Sequence, residues 1–151
     1  MRRKERMTSL PRAWEIFDEA EFAILSMCED QKPYAVPLSM IRIDTTLYFH
    51  CAMQGRKSRI LQNNPAVCVQ AVSYCEPDIP GFSIFYASVW MQGKAVLVQD
   101  MEEKAQALKV ICETYVPQDE EAEDHYIENM ADHTAVWRVD VEEICGKERA
   151  K

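Results

Sequence analysis

Four glycines in 151 residues are too few for a glycine-rich phosphate loop. Gly55, Gly81, Gly93 and Gly146 stand apart, so neither a dinucleotide fingerprint nor a P-loop can be written through them. Long apolar runs are missing too, and none approaches the ~18 residues of a membrane span. Basic charge is scarce: 17 Lys and Arg stand against 25 Asp and Glu, a formal net charge of −8. That balance excludes duplex DNA and anionic membrane surfaces as natural partners, because both select a basic footprint. Cys28, Cys51, Cys68, Cys75, Cys112 and Cys145 form no C-x-x-C pair and no zinc spacing with a histidine. Most lie in apolar stretches, where a thiol behaves as a small hydrophobe, so six free thiols and no metal site are expected. The basic start at residues 1–6 is followed by no apolar segment and is not read as a secretory signal. The expectation is a cytoplasmic protein of one domain, residues 1–151.

What is present is a core. Hydrophobic residues make up 48% of the chain, with no repeat and no low-complexity tract. Residues 11–21 read as a short helix with Trp14 and Phe17 on one face. Strand-like runs follow at 22–28, 33–43 and 47–52, separated by polar turns at 29–32 and 44–46. Pro33 and Pro37 forbid a helix in the second run and predict an edge or irregular strand there. Residues 56–63 form a helix that Asn64-Pro65 stops. A β-branched strand at 66–74, a loop at 75–81 and a long strand at 84–98 come next, with Gly93 marking a bulge. Asp100 and Glu103 stand at capping-box spacing before a helix at 101–115, whose expected inner stripe is Met101, Ala105, Leu108, Cys112 and Tyr115. A polar helix at 119–131 and a strand at 134–141 close the chain. The acidic run at 118–124 reads as a solvated surface. Six antiparallel strands with helices packed outside predict a mainly β, α+β fold, a small barrel.

The stretch richest in chemistry is residues 50–59. A strand ends at His50 and Cys51, the chain turns at Gly55, and a helix begins with Arg56, Lys57 and Ser58. A helix start already favours an anion through its free N–H groups and dipole. Arg56 adds a planar fork for phosphate oxygens and Lys57 a point charge. The same residues would also suit a solvated helix start, and local chemistry leaves both readings open. His50, His125 and His133 have no ligand partner at helical spacing, and a lone histidine at a strand end is more often structural. Trp90 and Trp137 lie on strands, where core or interface packing is the ordinary role of tryptophan.

Several ordered segments are shared with one family: residues 32–38 (Lys-Pro-Tyr-Ala-Val-Pro-Leu), 47–52 (Leu-Tyr-Phe-His-Cys-Ala), Gly55-Arg56-Lys57, 63–68, 86–89, 92–95 and 139–147. In this order and spacing the chain resembles the pyridoxamine 5′-phosphate oxidase-like FMN-binding split barrels. Within them it is most similar to the branch of the nitroimidazole-resistance proteins, which also carry histidine at the position of His50. The resemblance implies a six-stranded split barrel and a homodimer with FMN in the cleft between subunits. It further implies that Ala35, Val36, Pro37, Leu38 and Ser39 line the isoalloxazine ring, with His50 and Cys51 flanking the loop towards the phosphate. Arg56 and Lys57 would hold the phosphate. Ser88 and Trp90, and with them Trp137 and Arg138, would approach the flavin from the second subunit. The tail at residues 146–151 lacks the basic arrangement of oxidases that act on pyridoxine phosphates, so the resemblance does not extend to vitamin B6 oxidation.

Two functions follow. One is an FMN-dependent oxidoreductase that takes electrons from a reduced nicotinamide and passes them to a small aromatic or nitro compound, with His50 the candidate catalytic residue. There the cofactor carries the redox chemistry and the protein orients it. The other is a flavin- or haem-holding carrier or sensor, with His50 as an axial ligand.

Overall fold

The computed structural model describes residues 3–117 and 120–151. Met1 and Arg2 of the basic start, and Gln118 and Asp119 of the acidic run, lie outside the described residues. A short helix, α1 (Leu10–Asp18), starts at Ser9, whose hydroxyl accepts from the Arg12 amide. It buries Ala13, Ile16 and Phe17. Arg12 ties it to the far end of the chain through Glu148, at 2.9 and 3.2 Å. Strands β1 (Ala23–Glu29) and β2 (Lys32–Leu38) form a tight hairpin. Its turn residues Asp30 and Gln31 have φ of 48° and 64°, the left-handed pair that matches strand twist.

Strands β3 (Ile41–Ile43) and β4 (Thr46–Ala52) follow, then α2 (Arg56–Asn63) and the long strands β5 (Ala66–Asp78) and β6 (Ser83–Leu97). Two helices, α3 (Met101–Tyr115) and α4 (Glu120–Met130), lead into β7 (Thr134–Arg149). All pairings are antiparallel and the order is β2-β1-β5-β6-β7-β4-β3. One cluster from β1, β4, β5, β6, β7, α1 and α2 fills the interior, with Leu25, Phe49, Val69, Met91 and Val139 fully buried. A second, formed by Ile41, Tyr48, Val98, Ala107, Leu108, Ile111, Ile127 and Val136, glues α3 and α4 to the outside. The two edge strands, β2 and β3, are consecutive in the chain yet unpaired with each other, so the barrel is split there. At the split, the Tyr115 hydroxyl accepts from the Met40 amide at 3.1 Å and donates to the Met40 carbonyl at 2.8 Å. Among the described residues no helix is long and apolar enough to cross a membrane, and all six cysteines are free thiols.

The expected class holds, with four corrections. There are seven strands instead of six, because the run at 33–43 breaks at Ser39-Met40 into β2 and β3. The expected loop at 75–81 is largely strand: Cys75 to Asp78 pair with Ser83 to Tyr86. Pro77 is tolerated because β1 pairs β5 only along Cys68–Ala71, which leaves that edge of β5 free. The inner stripe of α3 is rotated, burying Lys104, Ala107, Leu108 and Ile111, whereas Met101 is 56% exposed and Ala105 is exposed. Two overlapping stripes are written into this helix, and the one continuous with Ile111 faces Ile41 and Tyr48. Asp100 does cap it, accepting from the Glu103 amide at 2.8 Å. Finally, the closing strand runs past residue 141 to Arg149 through a bulge. Gln92 pairs Glu143 and Gly93 pairs Val141, so Glu142 is the extra residue opposite Gly93.

Candidate functional site

Strand β4 alternates strictly. Leu47, Phe49 and Cys51 join the main core, while Tyr48 and His50 point to the outer side. After Ala52 the chain turns at Gly55, whose φ of 150° is one that L side chains rarely adopt. The space its missing Cβ would occupy has nothing within 4 Å, so the approach to the helix start is open. The first helical hydrogen bond of α2 runs from the Arg59 amide to the Gly55 carbonyl at 3.1 Å, and no side chain caps the preceding amides. Those amides point out of the helix end with its positive dipole.

Arg56 and Lys57 frame this end. The Lys57 ammonium lies 5.2 Å from the Phe49 ring centroid, and burial pushes its pKa below the ordinary lysine value, with the Cys51 thiol pulling the other way. It is therefore not a freely solvated lysine. The Arg56 guanidinium stacks 4.4 Å over Tyr34, and its Nε lies 3.6 Å from Glu29. Arg59 shares the same carboxylate at 3.0 and 3.2 Å, so it too has a partner. Behind the loop, the buried Ser58 hydroxyl lies 3.7 Å from the Cys51 thiol and donates to the Ala52 carbonyl at 3.4 Å. His50 is pushed below its ordinary pKa by desolvation first and by the Lys57 charge second.

That shift has a sign. A histidine whose folded pKa is depressed lets the unfolded chain take up its proton first, so its contribution to stability is lost as pH falls through about 6.5. In an NMR titration of the free protein the His50 ring is expected to reach its midpoint below 6.5. A midpoint at or above 6.5 would show that the ring is neither desolvated nor within reach of the Lys57 charge.

Of the residues expected at the site, the structure gathers His50, Cys51, Arg56 and Lys57 at the β4–α2 junction. Tyr34 brings β2 to the same place, so Ala35, Val36, Pro37, Leu38 and Ser39 run away from Arg56 along the sheet edge. Ala35, Pro37 and Ser39 are exposed, whereas Val36 and Leu38 pack against the core. Ser88 and Trp90 lie elsewhere, half-buried on the outer side of β6. Burial raises the pKa of the Cys68 thiol on neighbouring β5, with the nearby Trp90 indole acting the other way. Trp137 is 2% exposed in the core, paired across β4 with Phe49, and its indole N–H has no hydrogen-bond partner among the described residues. Arg138 is held by both oxygens of Glu103 at 3.0 and 3.1 Å and lies 3.1 Å from Asp140. Tyr48 donates to the same Glu103 at 3.0 Å, and burial raises the tyrosine to about 12. This cluster fastens α3 to β4 and β7. Sequence reasoning passed over Glu29 and Tyr34, which meet α2 only through the fold; the signal available was Tyr34 beside the expected edge strand.

The cavity of about 530 Å³ lies away from this junction, between α1, β3 and α3, lined by Phe17, Met40, Arg42, Val110, Thr114 and Tyr115 among others. Most of its polar side chains are already engaged: Arg42 with Asp18 and the Asp44 carbonyl, Thr114 with the Val110 carbonyl, Tyr115 with Met40. The uncapped end of α2 offers what that cavity lacks. Among the described residues no cluster of metal-ligating side chains occurs.

Comparison with known proteins agrees with this fold. The family model described as pyridoxamine 5′-phosphate oxidase matches residues 10–148. A candidate 5-nitroimidazole antibiotic resistance protein of Bacteroides thetaiotaomicron is 27% identical, with a TM-score of 0.80 over 93% of this chain and 85% of its own. An FAD-binding protein of Mesorhizobium loti shares the fold at 20% identity, TM-score 0.72, covering 96% and 98%. An FAD- and haem-binding protein of Mycobacterium smegmatis does so at 15% identity, TM-score 0.77, covering 97% and 74%. No curated protein matches. With a match along 10–148 and the split barrel in place, the chain belongs to the pyridoxamine 5′-phosphate oxidase family.

Proposed function

We propose that this protein is an FMN-binding oxidoreductase that works as a homodimer, taking electrons from a reduced nicotinamide and delivering them to a small aromatic or nitro compound. The observation that carries it is the uncapped start of α2 with Arg56 and Lys57 beside it, open above Gly55. These residues fit a phosphate dianion. Backbone amides, a guanidinium and an ammonium can donate to its oxygens together, and the partial desolvation of Lys57 strengthens its attraction for an anion. The flavin, when bound, supplies two-electron redox chemistry.

The chain's own residues do the rest. β2 is an edge strand, and its outward backbone groups near Ala35 suit the polar rim of a flat heteroaromatic ring. Ser88 and Trp90 lie on an outer sheet surface where Ser88 pairs Val72 and Lys147, Trp90 pairs Gln70 and Cys145, and Gln92 stands between Cys68 and Glu143. A second copy docked on this mixed polar and charged strip would bring these side chains over the ring. His50, neutral near pH 7, can accept a proton at the edge of the site. The same neutral imidazole supports a second reading, a haem- or flavin-holding carrier.

Visible absorption of the protein as purified tells haem, by its Soret band, from flavin, and turnover of a reduced nicotinamide separates the oxidoreductase from a carrier. Fluorescence titration should then show FMN binding at least about tenfold tighter than riboflavin, which lacks the phosphate. Light scattering at micromolar concentration should return a dimer. Equal affinities would remove the phosphate from Arg56 and Lys57, and a monomeric mass would remove the second copy.

A further inference from the structure

The guanidinium of Arg56 is held on two sides by the β1–β2 hairpin. Met27 pairs Tyr34 and Glu29 pairs Lys32, so Glu29 and Tyr34 are diagonal neighbours on one side of that hairpin. The turn at Asp30 and Gln31 fixes this register, because its left-handed pair permits a two-residue loop. Tyr34 covers a flat side of the guanidinium at 4.4 Å and Glu29 stands 3.6 Å from its Nε. The Nη groups, the edge that grips oxyanions in pairs, make no hydrogen bond among the described residues. Glu29 spends its shorter contacts on Arg59, at 3.0 and 3.2 Å, so it steadies Arg56 without fully neutralising it.

We propose that Tyr34 is a positioning residue for phosphate recognition: its ring presets the Arg56 guanidinium with the Nη edge turned towards the open end of α2. This rests on the reading of Arg56 as a phosphate ligand. A flexible arginine must lose side-chain freedom when it grips an anion, and a stacked one has lost part of that freedom beforehand. Tyr34 would then raise affinity for the phosphorylated flavin and do nothing for riboflavin.

The test is the ratio of FMN to riboflavin affinity, by fluorescence titration of the full-length protein, for Tyr34→Leu, Tyr34→Phe and Arg56→Ala, alone and with Tyr34→Leu added to Arg56→Ala. Tyr34→Leu is expected to lower the ratio about threefold and Tyr34→Phe to keep it, since the ring face is what stacks. In the Arg56→Ala background Tyr34→Leu is expected to change nothing further. Tyr34→Met, which keeps the bulk, replaces Tyr34→Leu if the latter does not fold. An unchanged ratio in Tyr34→Leu overturns the proposal, as does an equal loss for FMN and riboflavin, which would put Tyr34 against the ring. If Arg56→Ala itself leaves the ratio unchanged, the phosphate is held elsewhere and the underlying site reading is what has failed.

Discussion

Replacing Arg56 by alanine is expected to weaken FMN binding by about 3 kcal/mol, roughly a hundredfold, and to leave riboflavin binding unaltered. The variant loses a bidentate, charge-assisted contact and leaves the phosphate to Lys57 and the α2 amides. The fold should not notice: Arg56 is half-exposed, and its contacts with Glu29 and Tyr34 are surface contacts worth little to stability. Lys57→Ala should lose about tenfold, because its ammonium is already partly desolvated against Phe49 and counterions replace it poorly. Arg59→Ala, whose partner is Glu29, should lose least. Parental FMN affinity in Arg56→Ala would mean that the helix-start cations serve only the surface.

The second large effect is on stability. Gly93→Ala should cost about 3 kcal/mol, seen as a lower denaturant midpoint at unchanged slope. A Cβ at Gly93 would stand 2.2 Å from the Asp140 carbonyl oxygen and 3.1 Å from the Val141 Cα. Both are backbone atoms of β7, at the bulge where Glu142 is extra, and backbone cannot rotate aside as a side chain can. A loss below about 1 kcal/mol would show that β7 can slide away from β6 at this point.

These two positions also mark what could be read from the sequence. Gly93 announced its bulge, and Gly55-Arg56-Lys57 announced a helix start bearing two cations, because each signal is local: a glycine in a strand, two cations after a turn. The hairpins and the bounds of α2 were legible for the same reason, through Asp44, Gly55 and Asn64-Pro65. What escaped depends on partners far along the chain. The break at Ser39-Met40 carries no turn signal of its own, since Tyr115, 75 residues on, satisfies its backbone. The phase of α3 was set by Ile41 and Tyr48 across a strand, not by its own period. Glu29 and Tyr34 became part of the site only when the β1–β2 hairpin met α2. Arg138, a bare cation in sequence, proved to be engaged by Glu103 and Asp140.

The Tyr115 clasp has a mechanical meaning. Everywhere else around the barrel, parting two neighbouring strands breaks a ladder of backbone hydrogen bonds. Between β2 and β3 there is no ladder among the described residues, and the Met40 backbone in the link between them is held instead by the Tyr115 hydroxyl of α3, at about 1 kcal/mol per bond. The protein thus carries a seam beside Ser39, along which it can yield without loss of the surrounding sheet. A residue of α3 anchors the link between the two edges, so the surface helix braces the seam from beside it.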